Sequence, residues 1–357
     1  MQTKPRTLWS FQATPQGTGL AAAEGGIEML KKLVLGVVGA FVVVGIGVYA
    51  AFQLSPWPSV LLIRYAFGQG GADSAAALAT LVPKGIAAQR GLSYAPGDRD
   101  ALFDVFAPAN APAPLPAVVW VHGGGFVAGS RSELSNYLQI LAARGYVTIG
   151  IDYSLAPGAR FPTPVRQTNA ALAHVVANAR RFNIDPGRIF LAGDSAGAQI
   201  AAQTALVISE PDYAKRLGID PGMTRAALRG VVLFCGPYDS ASMTFAGPFA
   251  DFTRTVLWSY IGTPDHRDPR VRQISVTPHV TAAYPPAFIS VGNADPLAPQ
   301  SLALAAALRA KGAAVDALFF PGDHKPPLPH EYQLMLTTDA GRLALDRTVA
   351  FLTAHAK

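Results

Sequence analysis

Ser195 stands in the pentapeptide Gly193-Asp194-Ser195-Ala196-Gly197, between an apolar run, Ile189 to Ala192, and a helix-compatible run, Ala198 to Val207. A strand, a Gly-x-Ser-x-Gly turn and a helix in that order form the strained turn that exposes a nucleophilic hydroxyl at the tip of a sheet. A serine hydroxyl is a weak nucleophile at neutral pH. It needs a base within hydrogen-bond reach, and that base needs a carboxylate to orient it. In this strand–turn–helix arrangement the acid, and then the histidine, follow the serine along the chain.

Asp295, in Gly292-Asn-Ala-Asp-Pro296, comes directly after the apolar run Ala287–Val291 and is the candidate acid. A helix N-cap is its competing reading. Two histidines follow in the loop Pro321-Gly-Asp-His-Lys-Pro-Pro-Leu-Pro-His330. His330 is favoured as the base because it opens His-Glu-Tyr-Gln just before the last helical stretch, and His324 remains the alternative. His174 and His355 read as surface residues, and His266 and His279 fall in an aromatic- and charge-rich insertion, 238–283. A second motif, His122-Gly-Gly-Gly-Phe126, follows the apolar run Ala117–Val121. A tetrahedral intermediate carries an oxyanion that needs preorganised N–H donors. Gly123 and Gly124, lacking Cβ, are the expected donors together with Ala196 behind the nucleophile. His122 is expected to brace the loop rather than react.

These residues need strands to deliver them to one edge. Strands are expected at Ala117–Val121, Tyr146–Ile151, Ile189–Ala192, Gly230–Cys235, Ala287–Val291 and Val315–Phe320, alternating with helices at Leu134–Arg144, Pro164–Phe182, Leu302–Lys311 and Ala340–Ala354. That alternation predicts an α/β fold with a mostly parallel sheet covered on both faces. Leu92–Tyr94 and Leu102–Phe106 read as a hairpin ahead of it. Cys235, the single cysteine, reads as buried strand filler and excludes an intrachain disulfide or a cysteine-based zinc site. No metal or cofactor is implied.

Half of the 357 residues are hydrophobic, 15% are charged, and the net charge of +6 is spread thinly. With no basic cluster interleaved with aromatics, nucleic acid is not an expected partner. Leu33 to Phe52 is free of charge and, at about 1.5 Å per residue, reaches about 30 Å, the depth of a bilayer core. Lys31 and Lys32 precede it, so the positive-inside rule puts residues 1–32 in the cytoplasm and the rest outside. A cleaved signal ending at Val48-Tyr-Ala50 is the alternative, and Met29 is a possible start. Pro56, Pro58 and Gly68-Gln-Gly-Gly71 are expected to break up a connector or docking segment, 53–90, in which Val60–Phe67 reads as an interfacial or docking helix and Ala75–Leu81 as a short helix, ahead of a catalytic domain at 91–357.

Val118-Val-Trp-Val-His-Gly-Gly-Gly-Phe126, Asp152-Tyr-Ser-Leu-Ala-Pro157, Gly193–Gly197 and Asp295-Pro-Leu297 together resemble the hormone-sensitive-lipase-like branch of α/β-hydrolase esterases, over roughly residues 91–357. The resemblance implies an eight-stranded core sheet, a Ser195–His–Asp295 triad and short-chain carboxylic ester substrates. An amide or formamide substrate on the same triad, or a non-catalytic binding scaffold of this fold, are the other readings. Two departures stand out. The family pattern His-Gly-Phe is here His330-Glu-Tyr332, and a membrane segment with its connector takes the place of the N-terminal cap helices.

Overall fold

The computed structural model describes residues 18–247 and 249–357. They fall into two compact units, one ending at Ser55 and the other spanning Pro56–Lys357. The described residues of the first form one long helix, α1 (Thr18–Leu54), whose stretch Gly26–Leu54 is long and apolar enough to cross a membrane. Of the expected cytoplasmic tail, residues 1–17 lie outside the described part.

The second unit opens with α2 (Trp57–Leu78). Eight strands follow: β1 (Ile86–Ser93), β2 (Leu102–Pro108), β3 (Leu115–Val121), β4 (Val147–Ile151), β5 (Ile184–Asp194), β6 (Leu228–Phe234), β7 (Ala287–Val291) and β8 (Val315–Phe319). They form one sheet in the order β1-β2-β4-β3-β5-β6-β7-β8. β1 and β2 are the expected antiparallel hairpin, β2 runs antiparallel to β4, and every other pairing is parallel. The central strands are buried on both faces and therefore read as near-continuous apolar runs. Alternate residues face opposite layers. Val119, Val121 and Leu191 meet α4 (Thr163–Ala177), α5 (Ser195–Ser209) and α8 (Ala298–Ala310). Val118, Trp120 and Phe190 meet α3 (Ser135–Ala142) and α9 (Asp339–His355). α6 (Pro211–Leu217) follows α5, and the insertion folds into α7 (Ala250–Ile261) and three short 3-10 turns.

The register aligns the carboxyl ends of the central strands. Val121 pairs with Ile151 and Gly193, and Asp194 pairs with Phe234. The segments that follow these ends, carrying His122, Ser195, Cys235 and Asp295, emerge along one edge. This is where ligands bind in open parallel sheets.

The glycines at 68–71 do not break the connector. α2 runs straight through them, held from outside by a tilted contact of Phe67 with Phe252 of α7 (ring centroids 5.8 Å) and by the Asn136 side-chain amide donating to the Ala75 carbonyl at 2.7 Å. Tertiary packing here outweighs the roughly 1 kcal/mol that each helical glycine costs. β1 also begins at Ile86, five residues ahead of the boundary expected at 91.

Candidate active site

Ser195 is the first residue of α5 and has φ +49°, a left-handed conformation that costs a non-glycine residue about 1–2 kcal/mol. The flanking glycines make the turn possible. A Cβ on Gly193 would strike the Gly197 and Ala198 backbone, and one on Gly197 would strike the carbonyls of Val121 and His122. The serine is thereby held at the N-terminus of a helix whose dipole favours negative charge nearby.

His330 Nε2 lies 2.9 Å from Ser195 Oγ, and His330 Nδ1 lies 2.8 Å from Asp295 Oδ2. Nδ1–H donates to the carboxylate, which leaves Nε2 free to accept the serine proton. Asp295 is not the N-cap of α8, a position held by Leu297, but it does fix the turn before that helix. Its Oδ1 accepts from the Leu297 N–H at 2.7 Å in the turn leading into α8, while its Oδ2 holds the imidazole. Asn293 fastens the long loop, with its Oδ1 accepting from Leu328 N at 2.9 Å and its amide donating to the carbonyls of Gly322 and His324, each at 3.2 Å. The other candidate histidine, His324, lies against Phe320 with ring centroids 4.6 Å apart.

The glycine loop departs from expectation at one position. The Gly123 N–H donates to Asp194 Oδ2 at 2.8 Å, so it is not available to an oxyanion. The cause is the buried Asp194, whose Oδ1 accepts from Trp120 Nε1 at 2.7 Å and whose second oxygen takes the nearest loop amide. Gly124 (φ +102°) and Gly125 (φ +60°) then turn through conformations natural to glycine, and the Gly124 carbonyl accepts from the N–H groups of Val127 and Ala128. With Gly123 engaged, the amides of Gly124 and Gly125, together with that of Ala196, become the candidate oxyanion donors. His122 braces the loop. Its Nδ1–H donates to the Gly123 carbonyl at 2.8 Å, and its ring stacks on Tyr153 at 4.4 Å. Burial lowers its pKa and keeps it neutral.

A family model for the alpha/beta hydrolase fold matches residues 118–326, more than half of the chain. The chain belongs to the α/β-hydrolase fold family. Within it, the motifs place the chain in the hormone-sensitive-lipase-like esterase branch. It is 33% identical to the esterase LipC of Mycobacterium tuberculosis over 204 residues, 56% of this chain and 49% of that protein. It is 30% identical to an acetyl esterase of Salmonella paratyphi B over 227 residues, 62% and 68% of the two chains. The match thus spans about half the length of the Mycobacterium relative and about two thirds of the Salmonella one. Among solved structures, inhibited esterase B from Lactobacillus rhamnosis superposes with a TM-score of 0.72 at 22% identity, covering 83% of this chain and 97% of that one. An esterase from Pyrobaculum calidifontis gives 0.67 at 25% identity, covering 84% and 94%.

Two residues of this α/β-hydrolase's site are not visible in its motifs. Cys235, expected as strand filler, is buried but sits just past the end of β6 with φ +46°, where its sulfur lies within 4.8 Å of the Asp295 and His330 ligand atoms. Its position at a central strand's carboxyl end was the available signal. These three residues are donors of a kind that bind metals, but both His330 nitrogens already hydrogen-bond to Ser195 and Asp295. Glu331 is the other. It has φ +59°, and its Oε1 lies 3.8 Å from His330 Nε2. Burial opposes a charged His330, but the Asp295 carboxylate bonded to Nδ1 and the nearby Glu331 favour it and raise the histidine pKa above its usual value. Burial pushes the Cys235 thiol up as well, so the sulfur is a neutral neighbour and the lasting pull is that of the Asp295 carboxylate. A cavity of about 500 Å³ opens elsewhere, lined by Trp57, Arg64, His122, Asp152 and Tyr153.

Proposed function

We propose that this protein is a membrane-anchored serine carboxylesterase acting on short-chain or small carboxylic esters. Ser195 Oγ attacks the ester carbonyl as His330 Nε2 takes its proton. Asp295 holds the imidazole tautomer and stabilises the imidazolium. The amides of Gly124, Gly125 and Ala196 receive the oxyanion. His330 returns the proton to the leaving alkoxide, and water, activated by the same imidazole, frees the acid from the acyl-enzyme. The observation that carries this reading is the continuous chain Ser195–His330–Asp295, with links of 2.9 and 2.8 Å. The esterase and acetyl esterase names of the relatives support ester rather than amide bonds as the target.

A fluorophosphonate probe tests it. The folded protein should be labelled and Ser195→Ala should not, with p-nitrophenyl acetate turnover lost in parallel. Absence of labelling on the folded wild type would remove the enzyme reading and leave the binding scaffold. A panel of p-nitrophenyl esters of increasing acyl length then checks the short-chain preference, which fails if long chains turn over fastest.

A further inference from the structure

Glu331 occupies a backbone position that suits glycine, and its carboxyl is directed at another acid. We propose that Asp194 and Glu331 share one proton, and that the resulting O–H···O bridge fastens the His330 loop to the glycine loop. The inference rests on the esterase reading above and adds a positioning pair to it.

The geometry brings the two carboxyls together. A side chain on Gly123 would strike both Asp194 Oδ2 and Glu331 Oε1, so these oxygens flank the same small space. The two oxygens stand 2.4 and 2.9 Å from the point such a Cβ would occupy, with Asp194 3% exposed and the Glu331 side chain 36% exposed. Two carboxylates this close, one of them buried, repel each other, and a shared proton turns that repulsion into a bond. Apart from His330, the titratable groups facing the pair are Glu133 in the segment before α3, Tyr137 of α3, Tyr153 after β4, and Cys235 after β6. Among the described residues no Lys or Arg lies within ion-pair distance of either carboxyl, and the imidazole 3.8 Å from Glu331 Oε1 carries no charge while it acts as the base, so at that stage no cation substitutes for the proton. Burial, reinforced by Glu331, pushes the Asp194 carboxyl well above the usual carboxylate range.

The bridge joins the two halves of the machinery. Glu331 follows the base, Asp194 precedes the nucleophile, and Asp194 Oδ2 also accepts the Gly123 N–H that sets the course of Gly124 and Gly125. A left-handed glutamate is strained, and such strain persists where the side chain is needed. Loss of the shared proton as pH rises would set two like charges against each other beside the oxyanion donors.

The test is the pH profile of kcat and KM for p-nitrophenyl acetate in the wild type, Glu331→Gln and Glu331→Ala, together with infrared difference spectra for a protonated-carboxyl stretch. The wild type should lose kcat on the alkaline side of its optimum. Glu331→Gln, whose amide N–H donates to Asp194 at every pH, should abolish that limb and the carboxyl band while restoring part of the kcat that Glu331→Ala loses. Glu331→Ala should lower kcat about tenfold, the rate equivalent of one buried hydrogen bond, with KM little changed. An alkaline limb that Glu331→Gln leaves unchanged, or a carboxyl band that survives it, overturns the inference. If the wild type hydrolyses no ester, the enzyme reading has failed instead, and the infrared band still decides whether the proton is shared.

Discussion

His330 Nε2 must be unprotonated to accept the serine proton, and its raised pKa fixes where that occurs. Below the raised value the ring is an imidazolium and cannot act as a base. We therefore expect kcat/KM to fall as pH drops through a point above about 6.5, the unperturbed histidine value. A limb at or below that value in the kcat/KM profile would contradict the electrostatics described here. Stability runs the other way. A group with a raised folded pKa contributes stability that is fully present below its unfolded pKa and is lost as pH rises through the folded one. The denaturation midpoint of the wild type should thus decline relative to His330→Ala over that same window. For the identity of the base, His330→Ala should cost about 10⁴-fold in p-nitrophenyl acetate turnover, a loss typical of breaking a triad. His324→Ala should keep most of the activity, since its ring rests on Phe320. The reverse pattern would transfer the role to His324. The serine, the acid and the choice of loop were legible at this scale because strand ends and turn chemistry are local signals. The engagement of Gly123 and the nearness of Cys235 were not, because each depends on a distant partner, 71 positions away for Gly123 and at least 60 for Cys235.

At the scale of elements, α2 ties its own helix to the catalytic loops. Arg64 donates from Nε to the Val127 carbonyl at 2.8 Å and from Nη2 to the Ala156 carbonyl at 3.1 Å, and its guanidinium stacks over Trp57 at 5.4 Å. Val127 and Ala156 are buried. Val127 also closes the turn that carries Gly124, through its N–H to the Gly124 carbonyl at 3.1 Å. A second brace works from the other side, where Arg131 donates to Asp104 at 2.9 Å and bonds to Asp152. Arg64→Ala would leave two buried carbonyls short of a donor, at about 1–3 kcal/mol for such a group. We expect the urea midpoint to fall accordingly and kcat to fall more than KM rises, because the oxyanion loop loses its outer support. Unchanged kcat with lowered stability would make Arg64 a packing residue only. The apolar run Val60–Phe67 with its one Arg already suggested a docking helix, but the glycines after it concealed that the helix continues to Leu78 and which carbonyls Arg64 reaches. The helix exists because Phe67 and Ala75 find partners on α7 and α3.

At the scale of the whole molecule, the question is which side of a membrane the catalytic unit occupies. α1 presents Leu33–Leu54 without a single charge, a length of about 33 Å at 1.5 Å per residue, enough to cross a hydrocarbon core of about 30 Å. Lys31 and Lys32 stand at its N-terminal end, and the first basic residue beyond it, Arg64, is occupied by the Val127 and Ala156 carbonyls. The charge bias thus favours an N-terminus held in the cytoplasm and a catalytic unit outside. Protease added to intact spheroplasts should then digest residues 56–357 while a cytoplasmic marker survives. After alkaline extraction the protein should stay with the membrane, whereas a chain cleaved after Ala50 would be released. Protection of the catalytic unit from external protease would reverse the orientation without touching the triad, because the compact unit that carries Ser195, His330 and Asp295 begins only at Pro56. For the same reason a protein lacking residues 1–55 should be soluble and still react with a fluorophosphonate. If it does not, α1 contributes to folding as well as to anchoring.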